Sequence, residues 1–174
     1  LPPTVIGFYL LIAFAPTSNL GQTWQSLTGH QLAFSFSAIV IGSLFYSLPF
    51  VVQPLQRAFE QLGTELLEAG AMLNASKLDQ FFTIVLPLTK PSFITAATLG
   101  FAHTIGEFGI VLMIGGNIPG ETRVLSLALF DHVEAFEYQQ AHTLALSLLF
   151  GCFALLSFVG FINRKPTQQA AGVR

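Results

Sequence analysis

Charge is what this chain most lacks. Only 9% of its 174 residues are Asp, Glu, Lys or Arg, while 52% are hydrophobic. A soluble domain carries about 25% charged residues. The mean hydropathy of +0.65 therefore excludes an ordinary soluble domain and points to an integral membrane protein. Cysteine is nearly absent. Cys152 stands alone in an apolar run, so no intrachain disulfide can form, and the residue reads as a small core side chain. The single tryptophan, Trp24, reads as an interfacial anchor. A net charge of −2 offers no basic surface for nucleic acid.

What is present is a set of long apolar runs. A spanning helix needs about 20 apolar residues. Runs at 32–52, 92–114 and 143–162 each supply one, the second containing His103 and Glu107. The apolar start, about 1–15, is too short to span alone. It reads as the end of a helix in an N-terminally incomplete chain, which opens on Leu1-Pro2-Pro3. About four all-α membrane segments result.

The few charges are unevenly placed. Arg57, Lys77 and Lys90 fall in the loop 56–90, and Arg164, Lys165 and Arg174 in the tail. The connections 16–31 and 115–140 hold one basic residue between them, Arg123. Cytoplasmic loops collect Lys and Arg, so the central loop and the C-terminus are expected in the cytoplasm and the other two loops outside.

The central loop has a helical rhythm of its own. Leu55, Phe59, Leu62 and Leu66 recur at helical spacing among Gln and Glu, which predicts an amphipathic helix. Asn74 suits a left-handed helix end. Ser76 and Asp79 are spaced for a capping arrangement on a second short helix. By periodicity alone, such a hairpin could equally lie on lipid without a partner.

The spacing Glu68-Ala69-Gly70, Asn74, Ile84, Leu86-Pro87 resembles the EAA loop of bacterial ABC importer permeases, E-A-A-x3-G-x9-I-x-L-P. Gly70 replaces the second Ala and Asn74 the Gly. The resemblance implies the type I permease transmembrane fold, with the loop docking on a separate cytoplasmic ATPase that carries ATP and Mg. The chain itself is expected to bind no cofactor and no metal and to catalyse no reaction. The run from Gly115 to Thr122 comes near a phosphate-binding loop, but Glu121 stands where the motif needs lysine, and a carboxylate repels phosphate.

The second half sharpens the resemblance. Phe101 to Ile110, with Gly106-Glu107-Phe108-Gly109, and Met113 to Arg123, with Asn117-Ile118-Pro119-Gly120-Glu121-Thr122-Arg123, look like molybdate ABC-transporter permeases. Related sulfate/thiosulfate permeases share part of this pattern. The expected cargo is molybdate, with tungstate as a variant and sulfate or thiosulfate as the alternative. A periplasmic binding protein, a second permease copy and the bilayer of a bacterial inner membrane are the implied partners.

His103 and Glu107 lie four apart, on one face of a continuous helix, where they can meet. They read either as a packing pair or, with Gly106 and Gly109, as parts of a gate. Glycines there permit close approach or local unwinding. Unwinding would expose amide N–H groups to a passing anion. A zinc site is excluded, because two ligands from one helix leave the ion short. Asp131, His132, Glu134, Glu137 and His142 read as a solvated helix, and Arg123 as either an entry-path contact or the partner of a nearby acid. An intramembrane enzyme using His103 and Glu107, or a passive channel, stands as the alternative of a different class.

Overall fold

The computed structural model describes residues 2–162, all helix and connecting turns. The basic tail residues Arg164, Lys165 and Arg174 lie outside the described residues. Among the described residues nine α-helices follow in order: α1 Pro3–Phe14, α2 Asn19–Thr28, α3 Phe36–Gln61, α4 Glu65–Met72, α5 Lys77–Gln80, α6 Leu86–Gly106, α7 Gly109–Gly115, α8 Leu125–Glu134 and α9 Tyr138–Ile162. A single π turn, Phe81–Val85, joins α5 to α6, so Lys77–Gly106 forms one rod. The wide turn lies just ahead of Pro87, whose ring would collide with the carbonyl four residues back in a regular helix.

Among the described residues three helices are long and apolar enough to cross a membrane: α3, the Lys77–Gly106 rod and α9. The pair α1 and α2, bent by 58° at a short break, would make a fourth. Ser18 sits at that break. Its hydroxyl accepts from the Gly21 N–H at 2.9 Å and starts α2 afresh.

The packed core lies at one end of the bundle. Phe14, Leu32, Ala38, Ile39, Ile110, Ile114 and Leu127 are buried there, between α1, α3, α7 and α8. Small residues let the helices close. A Cβ at Gly7 would meet Ile110 Cα at 3.2 Å, and one at Gly115 would meet Ile39 Cδ1 at 2.8 Å. At the other end of α3, about 40 Å away at 1.5 Å per residue, stand α4 and α5. One face of α9, with Ala141 buried and Leu144, Leu148, Cys152 and Leu155 half-buried, meets the bundle, and the rest of its apolar surface is exposed.

Two expectations need correction. The amphipathic run from Leu55 is not a separate helix, because α3 continues through Pro49 and Pro54 to Gln61 and breaks only at Gly63, where φ is +68°. The run 92–114 is not one helix. α6 ends at Gly106, Glu107 is extended, and α7 starts at Gly109. Ser35, by contrast, caps α3 and delays its start past residue 32. It accepts from Ala38 N–H at 3.1 Å.

Candidate functional site

The segment 64–87 is a compact knob. Helix α4 ends in a Schellman arrangement: Ala75 N–H donates to the Gly70 carbonyl at 3.1 Å, and Asn74 N–H to the Ala71 carbonyl at 3.0 Å. Asn74 takes the left-handed position, φ +61°, that this motif requires. Ser76 then caps α5 reciprocally. Its hydroxyl accepts from Asp79 N–H at 3.2 Å, while the Asp79 carboxylate accepts from Ser76 N–H at 3.2 Å.

Gly70 is the buried residue of α4. A Cβ there would lie 3.1 Å from Ile84 Cδ1 and 3.2 Å from Gln80 Cγ. α4 therefore rests on the α5–π segment through a residue without a side chain, and Ile84 is half-buried beneath it. Gln80 reaches across to donate to the Ala75 carbonyl at 3.0 Å. Glu68 and Ala69 face outward, Leu86 is half-buried and Pro87 exposed. Leu66, Met72, Leu73, Leu78 and Phe82 present apolar side chains to the outside. The knob holds its own shape by backbone bonds and caps, yet leaves an apolar surface exposed, with Glu65, Glu68, Lys77 and Asp79 also exposed on the same segment.

At the end of α6 the predicted His103–Glu107 contact does not form. His103 stacks on Phe50 of α3, ring centroids 3.8 Å apart, and lies beside Tyr46 at 5.5 Å. Its Nδ1 faces the Ser47 hydroxyl at 3.4 Å. Ser47 in turn bonds Thr104 Oγ1 at 2.7 Å, so a polar seam joins α3 to α6. Glu107 points the other way because the helix has ended. Its carboxylate accepts from Ile110 N–H at 3.1 Å and caps α7, while its carbonyl accepts from the Ser126 hydroxyl at 2.7 Å. The glycines allowed close approach or local unwinding, and the helix is broken after Gly106. The Ile110 amide there is already taken by Glu107, which removes that donor from a passing anion. Gly106 faces open space, and Gly109 has Glu107 and Thr4 at ordinary contact distance, 3.8 Å.

The loop 116–124 is folded around two polar anchors. Thr122, fully buried, donates to the Gly115 carbonyl at 2.6 Å and accepts from Ile118 N–H at 2.8 Å. Asp131 accepts from Asn117 Nδ2 at 2.7 Å and pairs with Arg123 Nε at 3.0 Å. The pairing of Arg123 with a nearby acid is present. Pro119 and Gly120 are exposed at the tip. His132 pairs with Glu137 at 2.7 Å, and no group of three potential metal ligands occurs among the described residues.

Residues 1–168 match the family described as binding-protein-dependent transport system inner membrane component. The chain belongs to that family. Its similarity to the molybdenum transport system permease protein ModB of Azotobacter vinelandii is 57% identity over 165 residues, 95% of this chain and 73% of that protein. To the sulfate transport system permease protein CysT of Escherichia coli K12 it is 31% over 172 residues, 99% of this chain and 62% of that protein. The ModB protein of Haemophilus influenzae is 33% identical over 158 residues, 90% of this chain and 69% of that protein.

As a member of a permease family, the chain is a transport component and not an enzyme, which removes the intramembrane-enzyme reading. Sequence reasoning missed Thr122 as an anchor, since a threonine in a polar loop carries no sign of burial. It also missed Tyr46, Ser47 and Phe50, whose role depends on which face of α3 meets α6.

Proposed function

We propose that this chain is the membrane-spanning subunit of an ATP-driven importer for molybdate, with tungstate accepted by the same chemistry. It would receive the oxyanion from a periplasmic binding protein and release it into the cytoplasm. The single observation that carries the cargo is 57% identity across 95% of the chain to a molybdenum permease, against 31% to a sulfate permease. Two copies would form the pathway, each offering one knob to one cytoplasmic ATPase subunit that holds ATP and Mg.

The charge bias supports a cytoplasmic knob and C-terminus. Docking through Glu68, Ala69, Gly70, Asn74, Ile84, Leu86 and Pro87 is supported by the knob's self-contained bonding and open apolar face. Closing ATPases would drag the knob. The knob is continuous with α6 through the Lys77–Gly106 rod, so its displacement would reach the break at Gly106–Gly109. We assign the gate to that break, with His103 fixing the rod to α3 and Glu107 fixing α7. Asn117, Pro119, Gly120 and Arg123 would shape the surface facing the binding protein.

Reconstituted permease, ATPase and binding protein should take up molybdate in the presence of ATP, with sulfate competing weakly. Equal competition by the two anions would move the assignment to a sulfate permease. Uptake without ATP would move it to a channel.

A further inference from the structure

A groove of about 420 Å³ runs between α3 and α6, on the half of the bundle nearer the knob. Gln53, Arg57 and Gln61, each four residues from the next, stack along one face of α3 and line it. Ser92 and Thr95 of α6 form the opposite wall. Phe50 and Leu99 continue the two walls toward His103. Among the described residues no carboxylate lines this groove.

Arg57 differs from Arg123, which is paired with Asp131 at 3.0 Å. Arg57 is exposed and forms no ion pair among the described residues. The acid one turn along, Glu60, accepts instead from Gln56 Nε2 at 3.1 Å. Lys90 lies about half a turn around α6 from Ser92 and Leu99 and lines a separate cavity. The Thr95 hydroxyl is turned to its own helix, donating to the Pro91 carbonyl at 3.1 Å. The groove thus offers a guanidinium, two carboxamides and the Ser92 hydroxyl as donors. A guanidinium is a five-donor fork that fits phosphate oxygens in pairs.

Depth decides what such a set can meet. Arg57 follows Phe36, the first residue of α3, by 21 positions, about 32 Å at 1.5 Å per residue. The hydrocarbon core of a bilayer is about 30 Å thick. A helix that crosses it from Phe36 carries Arg57 at headgroup level, while Phe50 and Leu99 stay among acyl chains. We propose that this groove binds an anionic phospholipid, with its phosphodiester on Arg57 and Ser92 and one acyl chain against Phe50 and Leu99. An arginine solvated at a helix end needs neither the further donors nor the apolar walls. A molecule with an anionic head and a hydrocarbon tail uses both, and basic pockets between spans suit such headgroups. A lipid seated there touches both α3 and the Lys77–Gly106 rod that carries the knob. The site needs only that α3 crosses a bilayer, and no property of the cargo enters.

The test measures lipid binding to the purified permease in detergent by native mass spectrometry, with phosphatidylglycerol or phosphatidylcholine added in turn. The wild type should bind phosphatidylglycerol in preference. Arg57→Gln should weaken that binding about tenfold, the size of one hydrogen bond to a charged group, while Lys90→Gln should leave it unchanged. Ser92→Leu, which fills the groove and keeps the charge, should weaken it several-fold. Phosphatidylglycerol should also raise the melting temperature of the wild type and not that of Arg57→Gln. Equal binding of the two lipids by the wild type overturns the site, as do equal losses in Arg57→Gln and Lys90→Gln. Unchanged binding in either Arg57→Gln or Ser92→Leu overturns it too. If an excess of inorganic phosphate displaces phosphatidylglycerol, the groove takes a free oxyanion and the lipid assignment fails. Should Arg57→Gln fail to fold, Ser92→Leu decides alone.

Discussion

At the α7 end of the bundle Ile114, Leu127 and Thr122 are 0% exposed, whereas at the knob Met72 is 87% exposed, Leu73 83% and Leu78 72%. Both ends are well hydrogen-bonded. The α7 end uses long-range contacts: Phe34 N–H donates to the Ile114 carbonyl at 2.9 Å, and Ser126 to the Glu107 carbonyl at 2.7 Å. The knob uses local ones, the Schellman turn and the capping box. One end stores its apolar surface inside the chain. The other keeps its shape and leaves that surface exposed. A region whose shape is set locally can move as a body, while one set by interlocking helices resists displacement.

The largest expected effect is at the knob. Glu68→Arg should reduce coupled uptake to background and prevent co-purification of the ATPase, while the chain still inserts and melts as before. Undiminished coupled uptake in that variant would mean that the exposed face has no docking role. Next comes the α7 end. Thr122→Val leaves Ile118 N–H without its acceptor inside the protein and should cost about 2–3 kcal/mol, read as a lower melting temperature in detergent. If the melting temperature is unmoved, that loop is not the rigid element claimed.

Gly70→Val separates shape from surface. The added side chain must displace Ile84 or Gln80, an overpacking that costs about 1–3 kcal/mol locally. Coupling should weaken several-fold, with global melting little changed. A large drop in melting temperature would show the knob to be part of the main core. The smallest effect belongs to Asn74. Asn74→Ala should cost about 1 kcal/mol of local stability, because alanine tolerates the left-handed position poorly, while Asn74→Gly should be neutral or slightly stabilising. Hydrogen exchange of the Ala75 amide would report both.

The knob was the more legible end. Asn74 at a helix stop and Ser76 three before Asp79 are local signals, and local bonds are what the knob uses. The membrane helices were legible from apolar length. The break at Glu107 was not. An apolar run with glycines at 106 and 109 is compatible with a straight helix or a broken one, and the four-residue spacing of His103 and Glu107 suggested the straight form. Tertiary packing overrode it. Ile110 and Met113 meet α1 at Gly7, and Ile114 reaches α3 at Gly42, which a continuation of α6 would not provide. His103 found Phe50 and Ser47 on another helix, partners that no spacing within its own segment can indicate.

Composition and local chemistry thus settled the class of the protein, its apolar helices, and the caps and turns of the knob, because each depends on residues within a few positions of one another. Family likeness drew attention to the loop 64–87 and suggested the cargo. The partners of His103, Glu107, Arg123 and Tyr46, and the groove between α3 and α6, were decided by which helix faces came together. That choice depends on volumes and contacts between residues far apart in the chain.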